Sequence, residues 1–467
     1  MRSTIASFLM EEKMNSLERL FNKKETENGD ISYKSTGNDM LDMLFMSAYY
    51  EKHLEEALKK YCKAEHNKEE KWRLFAMFMR DPRLGLGRRE YGRNLMYWTE
   101  VQPENVPKCG RYDDLLYMGQ NREVYLEQIV NDGLGKGVYL AKKWLPRLNS
   151  SNRNLAQYIC TIYGITEKEY RRRIKLDTTE NLLSRHRTEE IDFEHVPSLA
   201  MIKYYDRFLR GEDTRERFEN YLEEVRSGEK KLNISTTTVY DIYKNRDKID
   251  ADLFFDKLEK IKINCIPVLD TSGSMWDLND SIGKATSIAH YLAKCSTYCN
   301  GYVISFSSNP QLIKIHEKIS KQQRYWLENN FGNSNKYSRE LNSMYTGDCS
   351  NTDFGKVMKL LEDLHDLPEY LVVLSDMEFD CGSKQSKDKL KMLWKVNGYT
   401  TKIVWWNFNS RNTTAPETDD MGNIFISGYN PMLLKYLEAG FDGNKFLDKL
   451  LGEYYKNLTK EYKDIII

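Results

Sequence analysis

Two periods of apolar residues divide this chain. From Asn38 to about residue 250 the apolar positions recur three and four apart, the spacing of one helical face. Leu41, Leu44, Phe45, Tyr49 and Leu54 mark the first such face, which runs on to Tyr61. A second helix is predicted from Glu69 to Arg80, stopped by Pro82, which has no N–H to continue the ladder. The glycine-rich stretch Asp81–Glu90 leads into a helix that runs through Trp98. Further short helices are predicted at 110–130, 136–147, 154–163, 167–175 and 178–187. Val196-Pro197-Ser198 opens another, with Pro197 or Ser198 at its start, and Thr214–Arg226 makes one more. Nothing between 40 and 250 reads as a long strand. No fixed period is clean enough for a sequence repeat, so the expectation is an α-helical, repeat-like array of degenerate helix pairs.

The period changes near Asp250. Short apolar runs at Ile263–Leu269, Tyr302–Phe306, Tyr370–Ser375, Thr401–Trp406 and Ile424–Ile426 alternate with helical patterns at 281–297, 318–330, 354–366, 385–396 and 431–439. Strand–helix alternation predicts a mostly parallel, doubly wound α/β sheet, Rossmann-like. Pro267 sits badly in a central strand because it removes a ladder donor, and a bulge would accommodate it. The expected division is a polar N-terminal segment over 1–37, partly ordered at best, a helical domain over 38–255 and an α/β domain over 256–467.

Composition narrows the class. The chain has 467 residues, 40% apolar and 30% charged, as in soluble globular proteins. Lys plus Arg and Asp plus Glu number 70 each, so net charge argues for neither nucleic acid nor membrane. No apolar run approaches the roughly 20 residues of a membrane span, and the first residues lack the apolar core of a signal peptide. The expectation is a cytoplasmic monomer with no membrane partner. The eight cysteines show no Cys-x-x-Cys pair, and the seven histidines are dispersed. Reduced, mostly buried thiols are therefore expected rather than a zinc site.

The chemistry lies where the α/β half begins. Ile263-Asn-Cys-Ile-Pro-Val-Leu-Asp270-Thr-Ser272-Gly-Ser274-Met275 is an apolar run ending in a carboxylate, followed by two hydroxyls at alternate positions. Open α/β sheets place ligands at the carboxyl ends of their strands. One carboxylate and two serine oxygens there suit a hard cation that keeps several waters, Mg²⁺ first, with Mn²⁺ or Ca²⁺ as variants. This is the Asp-x-Ser-x-Ser pattern of a metal-ion-dependent adhesion site. Two later strand ends complete the candidate set. Thr352, in Asn351-Thr352-Asp353-Phe354 before a helix, offers a hydroxyl, with Asp353 behind it as a helix cap or charge rather than a ligand. Asp376 follows the run Tyr370–Ser375. Enzymatic readings fail on missing partners. An aspartic protease needs a second paired carboxylate, and an aspartyl phosphatase needs a carboxylate where Ser272 stands. No catalytic residue is assigned.

These motifs, Asp270-Thr-Ser-Gly-Ser-Met, Asn351-Thr-Asp-Phe354 and Leu374-Ser-Asp-Met-Glu-Phe-Asp380, resemble the von Willebrand factor A domain. In the N-terminal half, Gly110-Arg-Tyr-Asp-Asp-Leu115, Ala141-Lys-Lys-Trp-Leu-Pro-Arg147, Glu169-Tyr-Arg171 and Val196-Pro-Ser-Leu-Ala200 resemble a domain-of-unknown-function family. Its members join a TROVE-like helical module to a von Willebrand A domain, as the Ro ribonucleoproteins do. The resemblance implies a HEAT-like helical array, curved or closed into a ring, whose ends meet at the A domain. It further implies binding of structured or single-stranded RNA.

Local charge bears on that implication. Lys71, Arg73, Arg80, Arg83, Arg88, Arg89 and Arg93 face only Asp81 and Glu90 over residues 71–93. Arg171-Arg172-Arg173 with Lys175 forms a second cluster, and Lys142, Lys143 and Arg147 a third. The candidate phosphate contacts are Arg83, Arg88, Arg89, Lys142, Arg171 and Arg172, because arginine forks match phosphate oxygens. The bland alternative is that these are solvated helix faces. Two functional readings follow, both non-enzymatic: a Ro-like RNA-binding scaffold with a cation site, or an adaptor whose metal takes an acidic residue from a protein partner.

Overall fold

In the computed structural model the strands Cys265–Asp270 and Tyr370–Ser375 are buried at every position. Unbroken apolar runs of this kind are what parallel strands need when both faces are covered. The structure describes residues 23–25, 31–33, 35–46, 69–81, 85–117, 122–234, 236–275, 280–306, 310–321, 354–362, 366–376, 398, 400–408, 417–418, 423–427, 429 and 432–458. The expected helices at 385–396 and beyond Lys321 in 318–330 lie outside these residues, as do Arg83, Thr352 and Asp353. The chain divides into two units, one of residues 1–53 with 237–447, the other of 54–236 with 448–467.

The first unit is α/β. Its strands, in chain order, are the hairpin pair β1 (Lys23–Glu25) and β2 (Ile31–Tyr33), then β3 (Cys265–Asp270), β4 (Tyr302–Phe306), β5 (Gln311–Lys314), β6 (Tyr370–Ser375), β7 (Lys402–Asn407), β8 (Glu417–Thr418) and β9 (Ile424–Ser427). So the polar N-terminal stretch carries one paired antiparallel hairpin. The main sheet has seven strands in the order β5-β4-β3-β6-β7-β9-β8. The inner pairs are parallel, and the two edge strands, β5 and β8, run antiparallel. From β3 the chain steps outward to β4 and β5, then returns to the other side of β3 as β6. That places a topological switch point between β3 and β6, where sheets of this class leave a crevice at the carboxyl ends.

Pro267 needs no bulge. It pairs in register with Val372, and the β3–β6 register runs unbroken from Cys265 to Leu269. Tyr370 donates its N–H to the Asn264 carbonyl, so even-numbered residues of β3 face β6. The missing Pro267 donor therefore faces the β4 side, where pairing begins only at Val268.

The helix Ser281–Cys295 covers β3 with Ile282, Ala285, Ile288, Ala289 and Leu292 buried. On the sheet's other neighbours, Phe354 packs against Trp405 at 4.8 Å and Tyr370 against Phe441 at 5.7 Å. The helix Asp39–Met46 also belongs here. It begins where the pattern predicts, because Asn38 Oδ1 accepts from the N–H groups of Met40 and Leu41 as an N-cap. Two six-residue helices, Val239–Lys244 and Ala251–Asp256, join this unit and were not predicted. Each has a side-chain cap, Thr238 accepting from Asp241 N–H and Asp250 from Leu253 N–H.

Among its described residues the second unit consists of helices and the turns between them, with no strand. The predicted helices occur as Glu69–Arg80, Arg89–Trp98, Arg122–Val130, Tyr139–Trp144, Arg153–Ile162, Glu167–Arg173, Thr179–Ser184, Ser198–Arg210 and Arg215–Ser227. The segment 110–130 is less regular than predicted, with a 3-10 turn at Tyr112–Leu116 before its helix and a π turn at Asn131–Gly135 after it. Pro197 occupies the N-cap position of Ser198–Arg210 with extended backbone, since a proline ring starts a helix without cost. Its core includes Phe193, Phe208 and Phe218, rings 4.9–5.2 Å apart. Burying each such side chain is worth about 1.5–3 kcal/mol. Tyr454 returns to this unit, its hydroxyl donating to Asp81 at 3.1 Å and its ring meeting Phe78.

Candidate metal centre

The carboxyl ends of β3 and β6 bring Asp270 and Ser375 side by side, because Leu269 and Leu374 are register partners. Ser375 Oγ donates to Asp270 Oδ2 at 2.6 Å, and the Ser272 N–H donates to Asp270 Oδ1 at 2.9 Å. Asp270 is fully buried and Asp376, one residue beyond Ser375, is 4% exposed. Residues Gly273–Met275 form a 3-10 turn that brings the Ser272 and Ser274 hydroxyls to 3.1 Å from each other. Four of the five predicted ligands, Asp270, Ser272, Ser274 and Asp376, thus sit on adjoining strand ends or the turn that follows. Thr352 lies outside the described residues. Ser375 was not singled out from sequence. Its signal was its position, the strand-end residue beside the predicted Asp376.

The electrostatics of the pair are unusual. Burial and the neighbouring Asp376 carboxylate push the Asp270 carboxyl up to about 6 from its ordinary 3.8, against the hydrogen bonds from Ser375 and Ser272 that pull it down. Two buried carboxylates in mutual repulsion are a donor set short of positive charge. Two carboxylates and two hydroxyls fit a hard divalent cation that retains waters, since oxygen is the donor such ions prefer. Among the described residues no group of three or more His, Cys, Asp or Glu side chains is arranged for a metal. The candidate set is sparser than that, as Mg²⁺ sites often are.

The basic candidates lie in the helical unit. Arg89 is exposed at the start of its helix, whereas Arg88 is partly covered and burial lowers its pKa. Arg171 and Arg172 are exposed and ion-paired along their helix with Glu167 and Glu169, at 3.4 and 3.9 Å. Lys142 is half-buried. The second and third clusters are neighbours: Arg147 donates to the Ile174 carbonyl at 2.7 Å, and Tyr170 hydroxyl donates to the Pro146 carbonyl at 2.9 Å. Arg147 also reaches the carbonyls of Lys142 and Lys143, so it holds structure rather than facing solvent. Arg80 and Arg93 are likewise occupied, with Asp113 and Asp114. Exposed aromatics stand in the same unit, among them Trp98, Tyr117, Tyr139 and Tyr158. Arg93 lies over the Tyr117 ring at 4.6 Å. No described helix is long and apolar enough to cross a membrane.

Comparison with known proteins matches two family models in sequence. A domain of unknown function, DUF2828, matches residues 138–263, and another, DUF7788, matches 264–460. The junction falls just before β3. An uncharacterized protein of Acanthamoeba polyphaga mimivirus is 22% identical over 489 residues, 88% of this chain and 83% of that protein. Among solved structures, the crystal structure of the Deinococcus radiodurans RO (RSR) protein is similar at a TM-score of 0.32 and 12% identity. That match covers 92% of this chain and 96% of that one. A likeness at that level carries no argument about this chain.

Proposed function

We propose that the chain is a non-enzymatic scaffold whose α/β unit holds a divalent cation, Mg²⁺ or in its place Mn²⁺ or Ca²⁺, and uses it to dock an acidic group of a protein partner. Asp270, Ser272, Ser274 and Asp376 would hold the ion, with Thr352 as the further hydroxyl and Asp353 behind it. The observation that carries this is the buried Asp270, held by Ser375 and Ser272 beside Asp376 at the sheet's switch point. A bound cation would supply the missing positive charge and an open coordination position. Calorimetric titration of the full chain with Mg²⁺ is expected to show saturable binding that Asp270→Asn abolishes. Equal binding by both proteins, or none by either, would refute the site.

A second reading is RNA held by the helical unit. Its support is the exposed Arg89, Arg171 and Arg172, with solvent-facing Trp98, Tyr117, Tyr139 and Tyr158 able to stack unpaired bases. Arg83 and Lys142 would add phosphate contacts, and Arg88, being partly covered, less. The readings separate on salt and chelator. RNA affinity falls steeply with salt, whereas cation-mediated docking is lost on chelation. Replacing Arg89, Arg171 and Arg172 together by Gln should flatten the slope of log affinity against log salt by about 2, at roughly 0.7 per single-strand phosphate contact. An unchanged slope would remove these residues from the reading. No binding of a tailed hairpin RNA at low salt would remove the reading itself.

A further inference from the structure

Asp280, at the start of the helix Ser281–Cys295 that covers β3, is held in an uncommon way. Its backbone is left-handed, φ 56° and ψ 47°, a region uncommon for residues with a side chain, though Asp enters it more readily than most. It stands at the N-cap position of Ser281–Cys295, yet its carboxylate makes no capping hydrogen bond. Instead Asp280 Oδ2 accepts from the Tyr240 hydroxyl at 2.7 Å. The carboxylate also folds over Gly283, where a Cβ would lie 2.5–2.7 Å from its atoms and would push it aside.

Tyr240 is itself fixed. Its N–H donates to the Tyr429 hydroxyl at 2.9 Å, and the two rings meet edge to face at 5.6 Å. Tyr429 lies two residues beyond β9, and Tyr240 belongs to the capped helix Val239–Lys244. Beside Asp280, Ser281 Oγ donates to the Phe408 carbonyl at 3.4 Å. Phe408 N–H donates to the Ser375 carbonyl at 2.9 Å, and Ser375 Oγ donates to Asp270. A continuous line of described hydrogen bonds therefore runs from the residue next to Asp280 to the buried carboxylate.

We infer that Tyr240 is a positioning residue for the cation site: by latching Asp280 at the start of Ser281–Cys295 it fixes the end of the line through Ser281, Phe408 and Ser375 to Asp270, so that this ligand is held ready before the ion arrives. The inference rests on the reading of Asp270, Ser272, Ser274 and Asp376 as cation ligands. Preorganised ligands bind more tightly because less order is lost on binding. The latch makes Val239–Lys244, outside the metal motif, a determinant of cation affinity.

The test is Tyr240→Phe in the full chain, which keeps the ring against Tyr429 and removes only the hydroxyl donor. Mg²⁺ affinity is expected to fall roughly tenfold, because order that the latch supplies in advance must then be imposed on binding. Melting of the chelated protein is expected to fall as well, because the same hydrogen bond is present before the ion binds. Asp280→Asn in the Tyr240→Phe background should add almost nothing, since the contact is already broken. Unchanged Mg²⁺ affinity in Tyr240→Phe, or a loss confined to melting of the chelated protein, would overturn the latch. Absence of Mg²⁺ binding by the wild-type chain would instead refute the site, so the two failures read differently.

Discussion

In the presence of chelator, Asp270→Asn is expected to make the protein more stable, not less, at pH 7. The wild-type carboxyl has its folded pKa raised from 3.8 to about 6. Between those values the folded state binds more protons than the unfolded chain, so stability falls as pH rises and stays low above the folded pKa. At about 1.36 kcal/mol per pH unit, the fully buried group costs the metal-free fold about 3 kcal/mol at pH 7. Asparagine removes the charge while still offering an acceptor to the Ser272 N–H and a donor to the Ser375 hydroxyl. Melting of the chelated wild type should therefore drop between about pH 4 and 6, while the variant stays flat over that range. Added Mg²⁺ should raise wild-type melting at pH 7 and leave the variant unmoved, because a ligand stabilises only the state that binds it. A chelated variant less stable than the chelated wild type at pH 7 would mean that Asp270 is a structural acceptor rather than a charge awaiting a cation.

The second large effect belongs to the helical unit. Arg80 is fully buried, with Nε 2.8 Å from Asp114 Oδ2 at an angle too poor for a hydrogen bond, so the contact is Coulombic. Arg93 donates to both Asp114 and Asp113, at 2.6 and 3.1 Å, and the Arg111 N–H donates to Asp114 at 2.8 Å. Gly92 and Gly110 leave the space for it, since a Cβ on either would collide with Arg80 or Asp114. Removing one member of a buried ionic group strands the others. Asp114→Ala is expected to cost about 3–5 kcal/mol, and Arg80→Met a similar amount. The double variant should cost clearly less than the two single losses together. Hydrogen exchange over 69–80 and 89–98 reads this locally. Additive losses would show that the two side chains do not act as a pair.

What the sequence revealed and what it concealed divide along physical lines. β4 and β6 lie where the apolar runs placed them, and β3, β7 and β9 differ by a residue or two at their ends. Buried parallel strands must be apolar throughout, which makes them conspicuous. The edge strands were missed because an edge needs little burial. β5 has one buried residue, Ile313, and β8 is two residues long. The helices Val239–Lys244 and Ala251–Asp256 were too short for a period to register, although their caps at Thr238 and Asp250 were present in the sequence. Asp270, Ser272, Ser274 and Asp376 were legible as a candidate set because their motifs recur in order at strand ends, each weak alone, and the fold does bring those strand ends side by side. Tyr240 and Asp280 were not, since they are 40 residues apart and only the fold joins them. The basic clusters were legible as charge, but not their occupancy. Arg80, Arg93 and Arg147 prove to be tied to carboxylates and carbonyls inside the helical unit.

The most direct measurement of the cation site is anomalous diffraction from crystals of the full chain grown with Mn²⁺, which scatters anomalously where Mg²⁺ does not. The account predicts one peak at the carboxyl ends of β3 and β6, within roughly 2.0–2.6 Å of the oxygens that ligate directly. Any of Asp270, Ser272, Ser274 or Asp376 that reaches the ion through a water would lie about 3 Å further out. Peaks only elsewhere, or none at saturating Mn²⁺, would contradict it.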